Sequence, residues 1–306
     1  MEYNASTPLY TSDKAPFRIT DVPAALDKLF SAGAPVLLFV HGRGFEPKKS
    51  LEGGFFVEGN AVHKLERDYG VRVLMFNWDS APSKILFVPL WKDRSRPLSK
   101  MPGAAESLHK VLTAVAAYRS HKHGDKRLVL LAHSMGTIVL ETLVRNHQWP
   151  VGPGPIFSNV VLTGADANNE THESWLTTIA QREKVYVTVN RDDDVLADST
   201  DQRPEGMLPL GVNPGKQLAA NVRYVEVTGL GTAKSGDGKA TGRHEMFTKA
   251  GMHQQVNVCR FFNSALRGNP VELVPGGNVE TVVREQILQL KFHRDPKDAC
   301  WGVPTS

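Results

Sequence analysis

The sequence has few of the features that define disulfide-rich, metal-binding or exported proteins. Its 306 residues include only two cysteines, Cys259 and Cys300, which are too few for a disulfide framework and lie in no metal-ligand spacing. We therefore expect reduced thiols and no metal site. The first thirteen residues are polar and contain neither the basic nor the apolar segment of an export signal, so we expect a cytoplasmic protein.

Long apolar runs and an excess of one charge are also missing. No segment approaches the roughly 20 apolar residues that a helix needs to span a bilayer, so we expect no stable membrane insertion. The net charge is only +4 and the basic residues are scattered. Nucleic-acid-binding proteins usually cluster such residues, so we expect no nucleic-acid partner. No Gly-x-Gly-x-x-Gly fingerprint follows an apolar run, which argues against a dinucleotide enzyme, and we expect no cofactor.

Short apolar runs do recur, each followed by a turn and a segment of helical length. Strands are predicted at 36–40, 71–76, 128–132, 160–163, 185–189 and 222–227. Helices are predicted at 55–68, 104–121, 135–146, 169–181 and 244–266. This alternation is typical of a mostly parallel sheet with helices on both faces. We predict a single α/β domain over residues 1–306 without a large cap domain, and treat 268–306 as a C-terminal appendage.

A serine follows the third predicted strand, where ligands of parallel sheets usually bind. The strand 128–132 runs into Ser134 and Met135, and a helical segment follows. A serine on such a sharp turn needs small residues two positions away on either side, because the backbone bends tightly. Ala132 and Gly136 meet this need, although alanine stands where glycine is usual. Ser134 is therefore the predicted nucleophile, and the Met135 N–H is one predicted oxyanion donor.

The second oxyanion donor is expected after an earlier strand of the same sheet. The run 36–40 ends in His41 and Gly42, and the next residue is Arg43. Its backbone N–H can point toward a developing oxyanion, so we predict Arg43 as the second donor. A strand-ending turn without any catalytic role is the alternative for this His-Gly pair.

The acid of a catalytic triad on this fold lies between the serine and the histidine in the chain. Residues 192–194 are three adjacent aspartates after a predicted strand. Asp193 fits best, with Asp192 as the alternative. Three adjacent acids cannot all pair with one imidazole, so the others are expected to be solvated or to serve the loop, with Arg191 or Arg203 as candidate partners.

The predicted base is His244, which closes a glycine-rich loop after the last predicted strand. His253 is the competing candidate, but it lies inside the predicted helix 244–266. An acyl pocket could be formed by aromatic residues near the strand ends, of which we single out Trp78, Trp91 and Phe45 as substrate-binding candidates. Ordinary core packing is the alternative for these aromatic side chains.

Several motifs occur together in one order along the chain. They are His41-Gly42, Trp78-Asp79-Ser80, Ala132-His133-Ser134-Met135-Gly136, Arg203-Pro204-Glu205-Gly206 and Gly242-Arg243-His244. In this set the chain resembles a bacterial α/β-hydrolase family of unknown function. It departs from that family at Asp79, where a proline is usual, and at 192–194, where one acid is usual. The resemblance implies an α/β-hydrolase fold, a serine triad and hydrolysis of an ester-like bond.

These residues together predict a serine hydrolase that cleaves a small-molecule carboxylic ester through an acyl-enzyme. A peptidase, amidase or thioesterase would use the same triad and is the first alternative. A non-catalytic binding module on the same fold is the second.

Overall fold

A computed structural model describes most of the chain. The described residues are 8–44, 46–55, 61–82, 94–122, 125–200, 203–204, 206–232, 242–248, 252, 255–273, 281–284 and 287–293. The strands are β1 (Leu9–Thr11), β2 (Pro16–Phe17), β3 (Val36–Val40), β4 (Arg72–Phe76), β5 (Leu128–His133), β6 (Asn159–Thr163), β7 (Val185–Val189), β8 (Val222–Glu226), β9 (Thr281–Arg284) and β10 (Ile287–Leu290). They form one ten-stranded sheet in the order β2-β1-β4-β3-β5-β6-β7-β8-β10-β9.

The centre of this sheet is parallel. Neighbouring strands from β4 through β3, β5, β6, β7 and β8 to β10 all pair in parallel. Antiparallel pairs occur only at the two edges among the described strands, where β1 pairs with β2 and β4, and β9 pairs with β10. The carboxyl ends of the central strands therefore meet at one edge, where Ser134 follows β5 and residues 192–194 follow β7.

Helices cover both faces of the sheet. They are α1 (Val22–Phe30), α2 (Pro47–Gly53), α3 (Ala61–Tyr69), α4 (Ser95–His121), α5 (Gly136–Asn146), α6 (His172–Ala180), α7 (Asp194–Thr200) and α8 (Val256–Leu266), and a 3-10 turn, Ile19–Asp21, precedes α1. Among the described helices, none has the length and apolar character that crossing a membrane would require.

Alternate side chains of each strand point to opposite faces and so build two cores. In β3, Val36, Leu38 and Val40 pack with helices α1, α4, α5 and α6, whereas Leu37 and Phe39 pack with α3 and α8. Because both faces are covered, the central strands are largely apolar. This explains why they appear in the sequence as continuous apolar runs.

All six predicted strands are present, with bounds that differ by at most one residue. The prediction of a helix over 244–266 is wrong in its first part, because residues 244–248 form turns and α8 begins at Val256. The short helix α7 was not predicted; it begins at Asp194, where an acidic residue favours a helix N-terminus. The stretch 268–306, expected as an appendage, supplies strands β9 and β10 to the main sheet.

The oxidation state of one cysteine differs from the predicted one. Cys259, buried on α8, is disulfide-bonded, which corrects the prediction of a reduced thiol. Cys300 lies outside the described residues. A disulfide requires two Cβ atoms within about 4 Å, and this proximity comes from the tertiary fold, so the spacing of two cysteines in the sequence does not reveal it.

Candidate active site

Ser134 lies on a strained turn between β5 and α5. Its φ is +54°, in the left-handed region that residues with a side chain rarely occupy. The turn is held by hydrogen bonds: the Ser134 N–H donates to the Thr163 carbonyl at 3.2 Å, and the Ser134 carbonyl accepts from Thr137 Oγ1 at 2.7 Å. These bonds keep the serine in a conformation that is unfavourable by itself.

Two glycines allow this turn to approach the end of β3. A Cβ on Gly136 would lie 2.4 Å from the Val40 carbonyl oxygen, closer than real Cβ atoms come. A Cβ on Gly42 would lie 2.6 Å from the Cβ of Ser134. The loop that contains Gly42 and Arg43 therefore packs closely against Ser134. A second oxyanion donor at Arg43 requires this proximity.

The structure brings His244 and Asp193 together. The imidazole Nδ1 of His244 lies 2.8 Å from Asp193 Oδ2, and both side chains are buried. The other carboxylate oxygen, Asp193 Oδ1, accepts from the Leu196 N–H at 3.0 Å. Burial alone would lower the pKa of His244, but Asp193, through its charge and hydrogen bond, and more weakly the charges of Glu245 and Asp166 together outweigh it, and the pKa is raised from its ordinary value.

The neighbouring aspartates face elsewhere. Asp192 Oδ2 accepts from the Gly229 N–H at 3.2 Å, and Asp194 Oδ1 lies 3.5 Å from a guanidinium nitrogen of Arg243. Of the three adjacent acids, Asp193 is thus the one in contact with the imidazole.

The prediction that these acids pair with Arg191 or Arg203 is wrong. Arg191 pairs with Glu226 on β8 at 2.9 Å, and Arg203 pairs with Asp166 at 2.5 Å. Both partners are distant in the sequence from residues 192–194, so local spacing could not have identified them.

Ser134 and His244 line one cavity of about 420 Å³, which we call the serine cavity. Its other walls include Phe39, Phe55 and Phe247. Within the described residues, no hydrogen bond joins the Ser134 hydroxyl to His244. Such bonds are often long in a ligand-free enzyme and shorten when substrate binds, so the shared cavity is the informative feature.

His133 supports the imidazole of His244 from the side. The two ring centroids lie 4.6 Å apart, and His133 Nε2 is 3.3 Å from the His244 carbonyl oxygen. Burial and the neighbouring His244 lower the pKa of His133 well below its ordinary value, so its ring is neutral. A neutral neighbour does not compete with His244 for a positive charge.

The two predicted oxyanion donors lie beside Ser134. Met135 and Arg43 line, with Ser134, a second and narrower space, which we call the arginine cleft and which also contains Arg94, Asp166 and Ser199. Within the part of the chain that the structure describes, the Met135 N–H donates to no protein acceptor. It is therefore available to a bound ligand.

Trp78, predicted to bind substrate, is buried against His41 in the structure. It is only 2% exposed, stacks on His41 with ring centroids 5.7 Å apart, and donates from Nε1 to the His41 carbonyl at 2.9 Å. The tryptophan therefore supports the loop behind Gly42 and is absent from the described walls of the serine cavity. The other two candidates, Phe45 and Trp91, lie outside the described residues.

His41 is buried and, together with Trp78, supports the loop that contains Gly42. Burial lowers its pKa to about 4, so the ring is neutral, with Nδ1 2.7 Å from the Gly42 carbonyl oxygen. Its Nε2 accepts from the Trp78 N–H at 3.3 Å. These two contacts fix the path of the chain from β3 into the loop that carries Arg43.

Sequence reasoning missed a buried ion-pair cluster at the arginine cleft, which Arg94 and Asp166 line; Arg203 pairs with Asp166 but is not among the lining residues. Asp166 Oδ2 lies 2.7 Å from Arg94 Nη2, while Asp166 Oδ1 lies 2.5 Å from Arg203 Nη2 and accepts from Ser199 Oγ at 3.0 Å. Asp166 follows β6 at the carboxyl edge of the sheet, so its position was a usable signal; nothing in the sequence marked Arg94. Among the described residues, no group of three or more potential ligands could hold a metal ion.

The fold is a mostly parallel sheet covered by helices on both faces. A strained serine follows β5, and a histidine late in the chain contacts an aspartate. These features together define the α/β-hydrolase class. The chain belongs to the family described as alpha/beta hydrolase of unknown function (DUF900), whose profile matches residues 22–242. The resemblance and the fold class predicted from the sequence are thus confirmed. Ser134 and Asp193 lie inside the matched range, and His244 lies just beyond its end.

Similarity to individual proteins is weaker than the match to this family. No curated protein matches the chain in sequence. Among solved structures, it is similar to the crystal structure of carboxyl esterase 2 from the mycorrhizal fungus Tuber melanosporum, at 13% identity, over 64% of this chain and 67% of that chain, with a TM-score of 0.29. A likeness of that size carries no argument about activity.

Proposed function

We propose that the protein is a serine hydrolase that cleaves carboxylic esters through an acyl-enzyme on Ser134. The observation that carries the proposal is the arrangement of three side chains: Ser134 and His244 line one cavity, and the far side of the imidazole contacts the buried Asp193. This is the order of nucleophile, base and acid that acyl transfer needs.

In the proposed reaction, His244 takes the proton of the Ser134 hydroxyl as its oxygen attacks the ester carbonyl. The carbonyl oxygen becomes negatively charged, and the backbone N–H groups of Met135 and Arg43 stabilise it. As the ester bond breaks, His244 returns the proton to the leaving alcohol. Water, deprotonated by His244, then attacks the acyl-enzyme, and His244 returns that proton to the Ser134 oxygen as the bond to the acyl group breaks and the carboxylic acid leaves.

Asp193 has two roles in this proposal. Its carboxylate contacts Nδ1 and so leaves Nε2 of His244 free to accept the serine proton. It also stabilises the imidazolium that forms during attack, consistent with the raised pKa of His244. Because both groups are buried, this interaction is stronger than it would be in water.

The size and walls of the serine cavity favour a short or medium acyl group. Its volume of about 420 Å³ lies at the lower end of the range for small-molecule sites, which is roughly 300–1,000 Å³. Phe39, Phe55 and Phe247 give it aromatic walls beside the serine. Amides and thioesters are cleaved by the same machinery, so the test includes substrates that differ in the leaving atom.

The test is hydrolysis of p-nitrophenyl esters of increasing acyl length by the wild type, by Ser134→Ala and by Ser174→Ala. Ser174 is an exposed serine on α6 whose hydroxyl donates to the Thr171 carbonyl, so it controls for loss of a hydroxyl elsewhere. We expect activity in the wild type and in Ser174→Ala, and loss of at least about 10³-fold in Ser134→Ala. The matching p-nitroanilides and thioesters are assayed in parallel.

Two results would contradict the proposal. Preferred cleavage of anilides or thioesters would replace the esterase by an amidase or thioesterase with the same serine. No turnover of any substrate, together with no labelling of Ser134 by a fluorophosphonate, would favour a binding module on this fold.

A further inference from the structure

The arginine cleft has an unusual charge for a space that borders the nucleophile. Two guanidinium groups, on Arg94 and Arg203, share the single carboxylate of Asp166. The side chains are 5%, 3% and 4% exposed, respectively, so water compensates little of their charge. Asp198 also lines the cleft, but it is exposed and its charge is screened by solvent.

The guanidiniums also retain unused donors. The Nε atoms of Arg94 and Arg203 are buried and have no hydrogen-bond partner among the described residues. A buried positive charge without a full set of partners is unfavourable, and binding of an anion relieves it. The pKa of Arg94 is lowered chiefly by burial; the charge of Asp166 raises it, and the nearby Arg203 and Arg43 lower it by smaller amounts.

The cleft opens directly beside the reacting atoms. Arg94 shares it with Ser134 and Met135, and the Asp166 N–H lies 3.4 Å from the Ser134 carbonyl oxygen. Its volume of about 20 Å³ is close to what a single water molecule occupies, so the cleft admits one oxygen atom of a small terminal group while the rest of that group stays at its mouth. A carboxylate is planar and small, and guanidinium groups bind it well.

We propose that the arginine cleft binds a free carboxylate of the substrate, so that the preferred substrates are half-esters of short dicarboxylic acids or similar esters with an acid group a few bonds from the scissile carbonyl. This rests on the proposed function, because it places the ester at Ser134. Arg94 is the residue that contacts the carboxylate, and Arg203 and Asp166 position it.

The first test compares two methyl esters of equal size on the wild type. Monomethyl succinate carries the carboxylate, and methyl levulinate carries a neutral ketone in its place. We expect a kcat/KM at least about tenfold higher for the half-ester, the size of one charge-assisted hydrogen bond. Equal values, or a preference for levulinate, would overturn the carboxylate subsite and leave the serine mechanism intact.

The second test changes the arginine. In Arg94→Gln, Asp166 keeps Arg203 and Ser199 as partners, and we expect the preference for the half-ester to fall about tenfold or more. Arg96→Gln is the matched control: Arg96 lies in the first turn of α4, two residues after Arg94, but pairs with Asp79 at 2.7 Å outside the cleft, and the preference should not change. If both variants lost the preference for the half-ester to the same extent, the preference would come from general surface charge, and the proposal would be overturned.

A third measurement separates failure of the subsite from failure of the hydrolase. Binding of monomethyl succinate to Ser134→Ala is measured by calorimetry, alone and combined with Arg94→Gln or Arg96→Gln. Binding that is lost only with Arg94→Gln supports the subsite even if no ester is ever hydrolysed. Absence of binding to the folded Ser134→Ala protein overturns it, whatever the activity of the wild type.

Discussion

The α-carbon of Gly164 lies directly against the imidazole of His244. A Cβ at this position would be 2.9 Å from Cε1 and 3.0 Å from Nδ1 of the ring, closer than an ordinary contact. Gly164 follows β6 and has a φ of +52°, so both its conformation and the space around it require glycine. The position of the proposed base therefore depends on a residue that takes no part in the reaction.

We expect Gly164→Ala to displace the His244 ring from Asp193 and to lower kcat for ester hydrolysis by about 10²-fold or more, because a shift of about 1 Å is enough to do so. The control is Gly33→Ala, where φ is +73° but no atom lies within 4 Å of the added Cβ. That variant has the same type of backbone strain and should lose about 1 kcal/mol of stability while keeping its activity. Equal activity in the two variants would mean that contact with the ring is unimportant.

Gly136→Ala should disrupt the turn that carries Ser134. The added Cβ would meet the carbonyl oxygens of Val40 and His41 at 2.4 and 2.7 Å, and backbone atoms in a buried strand cannot move aside. We expect a loss of stability of about 2 kcal/mol or more, measured by denaturant unfolding. Gly103→Ala, in α4 with open space around it, should be stabilising by about 0.5–1 kcal/mol. A neutral Gly136→Ala variant would contradict the close packing of this turn against β3.

The raised pKa of His244 predicts an acidic limb in the pH profile of kcat/KM. The base must be neutral to accept the serine proton, so activity falls as the pH drops through the pKa of His244. Asp193→Asn removes the carboxylate that favours the imidazolium, so this limb should move to lower pH, with a fall in kcat of about 10³–10⁴-fold. Asp192→Asn, whose aspartate contacts the Gly229 N–H, is the control and should leave the limb in place. The same displacement in both variants would reject Asp193 as the specific partner.

His41 should make the folded protein sensitive to acid. Its pKa is about 4 in the folded chain and near 6.5 when unfolded, so the unfolded state binds the proton first and stability falls as the pH drops through this window. His41→Asn should reduce the slope of the free energy of unfolding against pH by about 1.4 kcal/mol per pH unit there. His121→Asn, at an exposed position at the end of α4, is the control and should not alter the slope. An unchanged slope in His41→Asn would mean that His41 is protonated in the folded state.

The sequence by itself determined the features that are local in the chain. Strands buried on both faces are continuous apolar runs, so six of the ten were predictable, and the elbow around Ser134 was recognisable because a tight turn restricts its immediate neighbours. The short strands β1, β2, β9 and β10, at and next to the two edges of the sheet, were not predicted, since a strand of two to four residues leaves too brief a pattern.

The tertiary structure alone decided what depends on distant parts of the chain. Residues 192–194 are identical aspartates, and only the path of the backbone after β7 directs Asp193, and neither neighbour, toward His244. The ion pair between Arg94 and Asp166 joins residues that are far apart in the sequence, and the position of Asp166 after β6 does not reveal its partner. Side-chain direction and long-range contact are set by how the strands and helices pack, and a linear pattern of residue types does not contain that information.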